Sequence, residues 1–279
     1  MVATMVNPAR LLASFARTME FQNLADSTRY RYESLAREYL ASSNGVMSRE
    51  AVMRYLEELG GSGTYRNWAC RPLKKLFTEA KAEWPFTPRE LPKPEDPKQP
   101  YLTYEQVQNL FKLAKNKPLA LALLRTDAVA GARRIQLARM LRTDYDPPNL
   151  RVEGAKGGKT RIRRLDPETV AAVNAYLATR KDARPELWAS KRGVPMTVYT
   201  LSMLFAELAQ AAGLPKGTGW HAIRRGVATW LYKAGWREKE IQEHIGWKSP
   251  TMPHKYIQLV VSELEEEAVA IHPMFKKSA

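Results

Sequence analysis

Six prolines within a short segment divide this chain of 279 residues in two. They stand at positions 85, 88, 92, 94, 97 and 100. Because proline fixes φ and has no N–H to donate, the segment can hardly form a helix or a central strand. We therefore predict an extended, semi-rigid linker over 85–100, between a first domain at 1–84 and a second at 101–279.

The first domain is predicted to be all-helical. Ser48 and Ser62 can each cap a helix, and Asp26 or Ser27 can cap another, ahead of apolar residues at helical spacing. The helix after Ser62 has a basic face that is a candidate DNA contact, formed by Arg66, Arg71, Lys74 and Lys75. The same pattern also fits a merely solvated helix face.

The second domain combines helices with one change of period. Helices are predicted to begin at Thr103, near Leu119 and near Arg133. Between 149 and 165, alternating residues flank a glycine-rich turn, which predicts a β-hairpin. Pro167 opens another helix, and the remainder is predicted to be helical with breaks at glycines. The fold class is therefore mainly α with a small β-hairpin or sheet, an α+β arrangement.

The charge of the chain is strongly and unevenly basic. The formal net charge is +15, from 44 Lys and Arg against 29 Asp and Glu. Residues 101–279 hold 29 of the basic and 17 of the acidic residues, so most of the excess lies there. Such an excess points to a polyanionic partner, with nucleic acid first and a membrane surface second. A basic soluble protein without such a partner stays open on charge alone.

Cysteine content and hydropathy indicate where such a protein would work. Cys70 is the only cysteine, so neither an intramolecular disulfide nor a cysteine-rich zinc site can form. The longest apolar run, at 119–124, is too short to span a bilayer, and residues 1–20 lack the pattern of a signal peptide. We expect a soluble cytoplasmic protein without a membrane partner, associated with the nucleoid if the source is prokaryotic.

Six residues in order along the second domain could act on a phosphodiester. They are Arg133, Lys156 at the hairpin tip, His221, Arg224, Trp247 and, nine residues later, Tyr256. Guanidinium groups match the geometry of phosphate oxygens, and a phenol with a pKa near 10 needs nearby help to attack at neutral pH. Each residue alone has an ordinary explanation, as a surface charge, a turn residue or a packing aromatic. The complete ordered set is much harder to explain in that way.

In order and spacing these six positions resemble the catalytic residues of the tyrosine recombinases, the phage-integrase family. Thr28 and Tyr32 stand where the helical core-binding domain of that family has its T-x-x-x-Y helix. The tail over 263–273 is similar to the terminal helix that Xer-type members dock on a neighbouring protomer. The resemblance covers nearly the whole chain and implies a simple two-domain, Xer-like member.

The resemblance also implies a role for each residue. Arg133 and Arg224 would hold the non-bridging oxygens of the scissile phosphate. Lys156 would protonate the 5′-oxygen leaving group, with Lys159 as the next candidate. Lys159 and Arg161 on the hairpin are further candidate DNA contacts.

The remaining three positions complete the implied reaction. His221 would take the phenol proton. Trp247 stands at a position where most members carry His and some carry Trp, and its indole N–H could donate one hydrogen bond but exchange no proton. Tyr256 would attack phosphorus and form a 3′-phosphotyrosyl link. The resemblance implies no metal and no other cofactor.

Two departures from the family pattern stand beside the arginines. Gln136 occupies a position that is usually Glu or Asp, which would weaken the orientation of Arg133, and Arg225 replaces a common His. Arg134 competes with Arg133 for the first arginine position, and Arg133 is preferred because it lies two residues after Gly131. His254, two residues before Tyr256, is expected to face solvent.

The predicted function is site-specific recombination of double-stranded DNA at an inverted-repeat site, by a homotetramer held together through the C-terminal helix. The biological outcome, integration, excision or dimer resolution, is left open. One alternative is a type IB topoisomerase, which uses the same chemistry to relax supercoils. Others are a catalytically silent DNA-binding regulator and a helical scaffold or membrane-surface protein.

Overall fold

The computed structural model of the chain describes residues 4–95, 101–154, 159–247 and 249. Contacts divide the chain into two compact units, Met1–Lys98 and Gln99–Ala279. The division falls inside the segment predicted as a linker from its prolines. Each unit has its own buried apolar core.

The first unit is a small helical domain with one short pair of strands. Its helices are α1 (Pro8–Phe21), α2 (Asp26–Ser42), α3 (Arg49–Leu59) and α4 (Gly63–Glu79), and β1 (Thr4–Met5) pairs antiparallel with β2 (Val46–Met47). Ser48 and Ser62 cap α3 and α4 as predicted, each accepting a backbone N–H at 3.2 Å. Helix α2 begins at Asp26 without any side-chain cap, so that predicted cap is wrong.

Helix α1 was not predicted, although its start signal stands in the sequence. Asn7 accepts the N–H of Arg10 at 3.0 Å, and Pro8 occupies the first turn, where its missing N–H costs nothing. Phe15 and Met19 from this helix are almost fully buried in the core of the unit. The first unit therefore has one more helix than the sequence analysis assigned.

The proline-rich segment is held against the first unit over its described residues. Phe86 and Leu91 pack on the core of that unit. The carbonyl of Pro85 accepts from Arg49 at 2.9 Å, and that of Pro92 accepts from Asn67 at 2.8 Å. The segment is extended, as its prolines require, but up to residue 95 it is anchored rather than a free spacer.

The second unit combines helices with a small antiparallel sheet. Its helices are α5 (Tyr104–Leu113), α6 (Pro118–Ala130), α7 (Arg134–Arg139), α8 (Pro167–Ala178), α9 (Val198–Ala211), α10 (Trp220–Lys233) and α11 (Glu238–Ile245). Its strands are β3 (Tyr145–Asp146), β4 (Asn149–Val152) and β5 (Arg161–Arg164), in the order β3-β4-β5. The register pairs Asn149 with Arg164 and Val152 with Arg161, which confirms the predicted hairpin. The mainly helical fold class is confirmed as well.

Residues 179–197 form an irregular segment, where the sequence analysis predicted a mostly helical remainder. Arg180, whose side chain is only 3% exposed, organises this segment. Its guanidinium donates to the hydroxyl of Tyr176 and the carbonyl of Leu187, each at 3.0 Å, and to Asp182 at 2.6 Å. Arg180 thus satisfies the backbone carbonyls of Glu186 and Leu187, which a helix would satisfy internally.

Helix α10 packs against both α6 and α11, and the C-terminal ends of α6 and α11 lie close together. Helix α6 ends at Gly131, which has a positive φ of 51°. A Cβ atom there would approach the side chain of Ile245 to 2.7 Å, so glycine allows α6 to end against α11. The turn after α6 and the end of α11 therefore meet.

None of the described helices combines the length and the apolar character that a membrane span requires.

Candidate active site

Arg133 lies directly after the turn that ends α6, at the first position before α7. Its Nη1 donates to the carbonyl of Gly246 at 3.4 Å. The next residue, Arg134, points elsewhere and donates to the hydroxyl of Ser202 on α9. Of these two adjacent arginines, Arg133 is the one whose side chain reaches the end of α11.

Arg224 is held deep in the same region by α10. Its side chain is almost buried, at 4% exposure, and its Nη1 donates to the carbonyl of Gly131. Its guanidinium carbon lies 5.6 Å from the ring centroid of Trp247, which is itself buried. Trp247 follows Gly246, whose positive φ of 74° ends α11. Arg133 and Arg224 thus meet Gly246 and Trp247 from two different helices.

His221 lies one helical turn before Arg224, near the start of α10. The ring is at the protein surface, yet its pKa is lowered from the ordinary value. Desolvation of the ring by the surrounding protein is the largest cause of this lowering. The positive charges of Arg224, Arg225, Arg134 and Arg133 follow in that order. His221 is therefore neutral at pH 7 and able to accept a proton.

Asp127 adds a buried carboxyl beside this group of cations. It is fully buried on α6, where the charge of Arg224 and the backbone N–H of Ala132 act on its carboxyl. Burial raises its pKa to about 8, against the opposing effect of the Arg224 charge. No motif marks this residue in the sequence, since it is a single Asp within an apolar helix.

Comparison with known proteins gives the family of the chain. Residues 100–263 match the sequence model of the phage integrase family. The chain belongs to the phage integrase family. This confirms the relationship predicted from the ordered catalytic positions.

Individual members of the phage integrase family are similar over nearly the whole chain. The chain is 27% identical over 274 residues to tyrosine recombinase XerA of Pyrococcus horikoshii, covering 92% of this chain and 91% of that protein. It is 29% identical over 235 residues to tyrosine recombinase XerC of Mesorhizobium japonicum, covering 82% and 71%. A lambda integrase tetramer bound to a Holliday junction has a similar fold, with a TM-score of 0.74, 20% identity and coverage of 91% of this chain and 78% of that chain.

Two catalytic positions expected of a phage-integrase member lie outside the described residues. They are Lys156, at the hairpin tip, and Tyr256; His254 and the tail over 263–273 lie outside them too. The other four, Arg133, His221, Arg224 and Trp247, are brought together from three helices as described above. Their catalytic roles stay predictions.

Arg161, a candidate DNA contact on the hairpin, is partly buried and turned towards α11. Its Nη1 donates to the carbonyl of His244 at 3.2 Å, and Arg163 donates to the carbonyl of Glu243 at 3.0 Å. Helix ends leave such carbonyls without partners, and cations there also complement the helix dipole. Burial, then Arg163 and Arg133, lowers the pKa of Arg161 to about 10. Arg161 therefore links the hairpin to α11, whereas Lys159 is exposed, as a DNA contact requires.

His244 lies at the same end of α11 and was not identified from the sequence. Its Nε2 is 3.0 Å from the carbonyl of Val129, and its ring meets the ring of Trp236 edge-on at 5.4 Å. Burial, then the charge of Arg163, lowers its pKa to about 4. The ring is therefore neutral at pH 7 and donates its Nε2–H to that carbonyl.

The lowered pKa of His244 predicts a loss of stability in acid. Between pH 6.5 and 4 the unfolded chain takes up a proton on His244 that the folded protein does not, so the free energy of unfolding falls as pH falls. Relative to a His244→Gln variant, the wild type is expected to lose up to about 3 kcal/mol across this window. Urea unfolding of both proteins at pH 7, 5.5 and 4.5 measures the change. If the difference in free energy of unfolding between the two proteins is the same at all three pH values, His244 has the same pKa in the folded and unfolded states.

The basic face of α4 is only partly free to contact DNA. Arg71 and Lys74 are exposed, but Lys75 donates to Gln22 at 2.7 Å, and Arg66 is partly buried.

Two exposed tyrosines lie on the first unit, Tyr30 at 75% and Tyr65 at 42% exposure. The ring of Tyr65 stacks on Trp68 with centroids 5.9 Å apart. Neither tyrosine was identified from the sequence.

Proposed function

We propose that this member of the phage integrase family is a site-specific DNA recombinase that cuts and rejoins strands through a 3′-phosphotyrosyl link at Tyr256. The observation that carries the proposal is the convergence of Arg133, His221 and Arg224 beside Trp247, nine residues before that tyrosine. The relatives named tyrosine recombinase support the same activity.

The two arginines would provide the phosphate site. Arg224 is buried and fixed by the Gly131 carbonyl, so its guanidinium needs little reorganisation when charge builds up on the phosphorane. The contact of Arg133 with Gly246, at 3.4 Å, is long for a hydrogen bond and is readily exchanged for a phosphate oxygen. Trp247 packs beside Arg224, with the guanidinium carbon 5.6 Å from the centre of its ring.

Proton transfer would involve two further groups. The phenol oxygen of Tyr256 forms a bond to phosphorus, the bond from phosphorus to the 5′-oxygen breaks, and His221 takes the phenol proton. Its lowered pKa leaves it neutral and available as the acceptor. Lys156 delivers a proton to the departing 5′-oxygen. The phosphotyrosyl bond replaces one phosphodiester, so a second 5′-hydroxyl can reverse the step without nucleotide hydrolysis.

The partner we propose is double-stranded DNA with an inverted-repeat site. The excess of basic over acidic residues supports a polyanion, and the lambda integrase with a similar fold is bound to DNA. Affinity would come mainly from contacts of Lys and Arg with phosphates and fall steeply with salt. Action on chromosomal or element DNA would place the protein in the cytoplasm, at the nucleoid in a prokaryote.

A nicked suicide duplex tests the activity. The nick lets the short 5′-hydroxyl fragment diffuse away after cleavage, so the covalent intermediate accumulates. With EDTA present, we expect protein attached to the 3′-phosphate side of the cut. Relaxation of supercoiled DNA without strand exchange would favour the topoisomerase alternative. Binding without an adduct would favour the silent regulator.

We further propose that the C-terminal segment holds four protomers together on DNA. Val260, Leu264, Ala268 and Ile271 are spaced as one apolar helical stripe in a segment rich in glutamate. The tetrameric lambda integrase on a Holliday junction is consistent with such an assembly. A chain ending at Ser262 is expected to bind half-sites but to form few tetrameric complexes, as measured by light scattering of DNA-bound protein. Normal synapsis by that chain would contradict the proposal.

A further inference from the structure

Gln136 connects two segments of the candidate active site through one side chain. It is 6% exposed and lies in the first turn of α7. Its Oε1 accepts the backbone N–H of Arg133 at 2.8 Å, and its Nε2 donates to the carbonyl of Glu153. Both partners fix the orientation of the amide, because a backbone N–H can only donate and a carbonyl can only accept.

Glu153 is the residue directly after β4, and the turn of the hairpin begins beyond it. Strand β4 has a second link to the same part of the fold, since Arg151 donates to Asp144 at 3.2 Å. The bond from Gln136 is two residues further along and is thus the last of these links before the turn that carries Lys156. One amide therefore joins the backbone of Arg133 to the base of that turn.

The two bonds require an amide. A carboxylate, which the family usually has at this position, could accept from the Arg133 N–H but could not donate to the Glu153 carbonyl. The presence of Gln136 is therefore more than a weaker version of the usual residue. It adds a donor to the carbonyl of Glu153, in a partly buried position.

We propose that Gln136 is a positioning residue that holds the base of the hairpin turn in register with Arg133, so that one side chain aligns both the proton donor and the phosphate site. The inference rests on the proposed function, in which Lys156 protonates the 5′-oxygen. Gln136 acts through its two backbone partners and touches no reacting atom.

Two substitutions separate the two bonds. Gln136→Glu keeps the acceptor for Arg133 and removes the donor to Glu153. Gln136→Met has a similar length and removes both bonds. Lys156→Ala serves as the comparison for loss of the proton donor itself. Thermal unfolding of each variant establishes that it is folded before its rates are compared.

Each variant is given two suicide duplexes, one with an ordinary scissile phosphodiester and one with a 5′-bridging phosphorothiolate, whose thiolate leaves without protonation. With the ordinary duplex, Gln136→Glu is expected to cleave roughly tenfold more slowly than wild type, as loss of one partly buried hydrogen bond implies. With the phosphorothiolate its rate should approach that of wild type. Gln136→Met should remain slow on both, because Arg133 has also lost its partner. Equal losses for Gln136→Glu on the two duplexes, or no loss on either, would overturn the inference.

Hydrogen exchange tests the connection independently of chemistry. In Gln136→Glu, the amides of the hairpin strands are expected to exchange faster than in wild type, while those of α8 are unchanged. If Lys156→Ala is equally slow on both duplexes, the proposed proton donor fails, and exchange alone then decides on Gln136. Unchanged exchange in the hairpin would show that Gln136 does not hold its base.

Discussion

Replacement of Tyr256 by phenylalanine is expected to abolish the covalent protein–DNA adduct and to leave DNA binding intact. The substitution removes a single oxygen, which is the atom proposed to attack phosphorus. Binding depends mainly on cations that contact phosphates, and these are unchanged. A denaturing gel with the strand labelled at either end measures the adduct, and a mobility shift measures binding.

The matched control for this experiment is Tyr199→Phe. Tyr199 is 71% exposed on α9, and its hydroxyl is not part of the candidate active site. It should form the adduct at the wild-type rate. An adduct that persists in Tyr256→Phe would show that another side chain is the nucleophile. The nine-residue spacing from Trp247 to Tyr256 would then have no catalytic meaning.

Arg224→Lys is expected to reduce the rate of adduct formation roughly 10²–10³-fold, as removal of one oriented donor does in other enzymes. Lysine keeps the charge but lacks the planar fork that can bond the Gly131 carbonyl and a phosphate oxygen together. The effect should appear in the rate of single-turnover cleavage at saturating protein, with a much smaller change in affinity. The exposed Arg192 provides the control substitution Arg192→Lys.

Stability has to be measured alongside this variant, because Arg224 is nearly buried. A folded Arg224→Lys protein that cleaves as fast as wild type would contradict the assignment of Arg224 to the phosphate site. In that case Arg225 would be the next candidate for binding the phosphate, because its charge also acts on His221, and Arg225→Lys would test it.

Features encoded within a few residues of each other were predicted well. Ser48 and Ser62 cap helices because a cap needs only its own side chain and the first turn. The hairpin of β4 and β5 follows from alternation on both sides of a glycine-rich turn. The fold class and the family followed from such local patterns together with the order of six residues along the chain.

Features that depend on packing were predicted poorly. The prolines correctly excluded helix over 85–95, but they carry no information on what the segment packs against. The irregular segment 179–197 is held by Arg180 and by backbone bonds to Met140 and Arg142, and these contacts exist only in the folded unit. Arg161 looked like a hairpin cation available to DNA, and its bond to the His244 carbonyl spans 83 positions of sequence.

The sequence by itself determined the family, the mainly helical fold class and the order of the candidate catalytic residues along the chain. Only the tertiary structure decided which of them meet. Arg133 reaches Gly246 across 113 positions, and Arg224 reaches Gly131 across 93. Helical periodicity and capping act within a few residues, whereas these bonds exist only after α6, α10 and α11 have packed together. The raised pKa of Asp127 and the lowered pKa of His244 are consequences of that same packing, since burial is their largest cause.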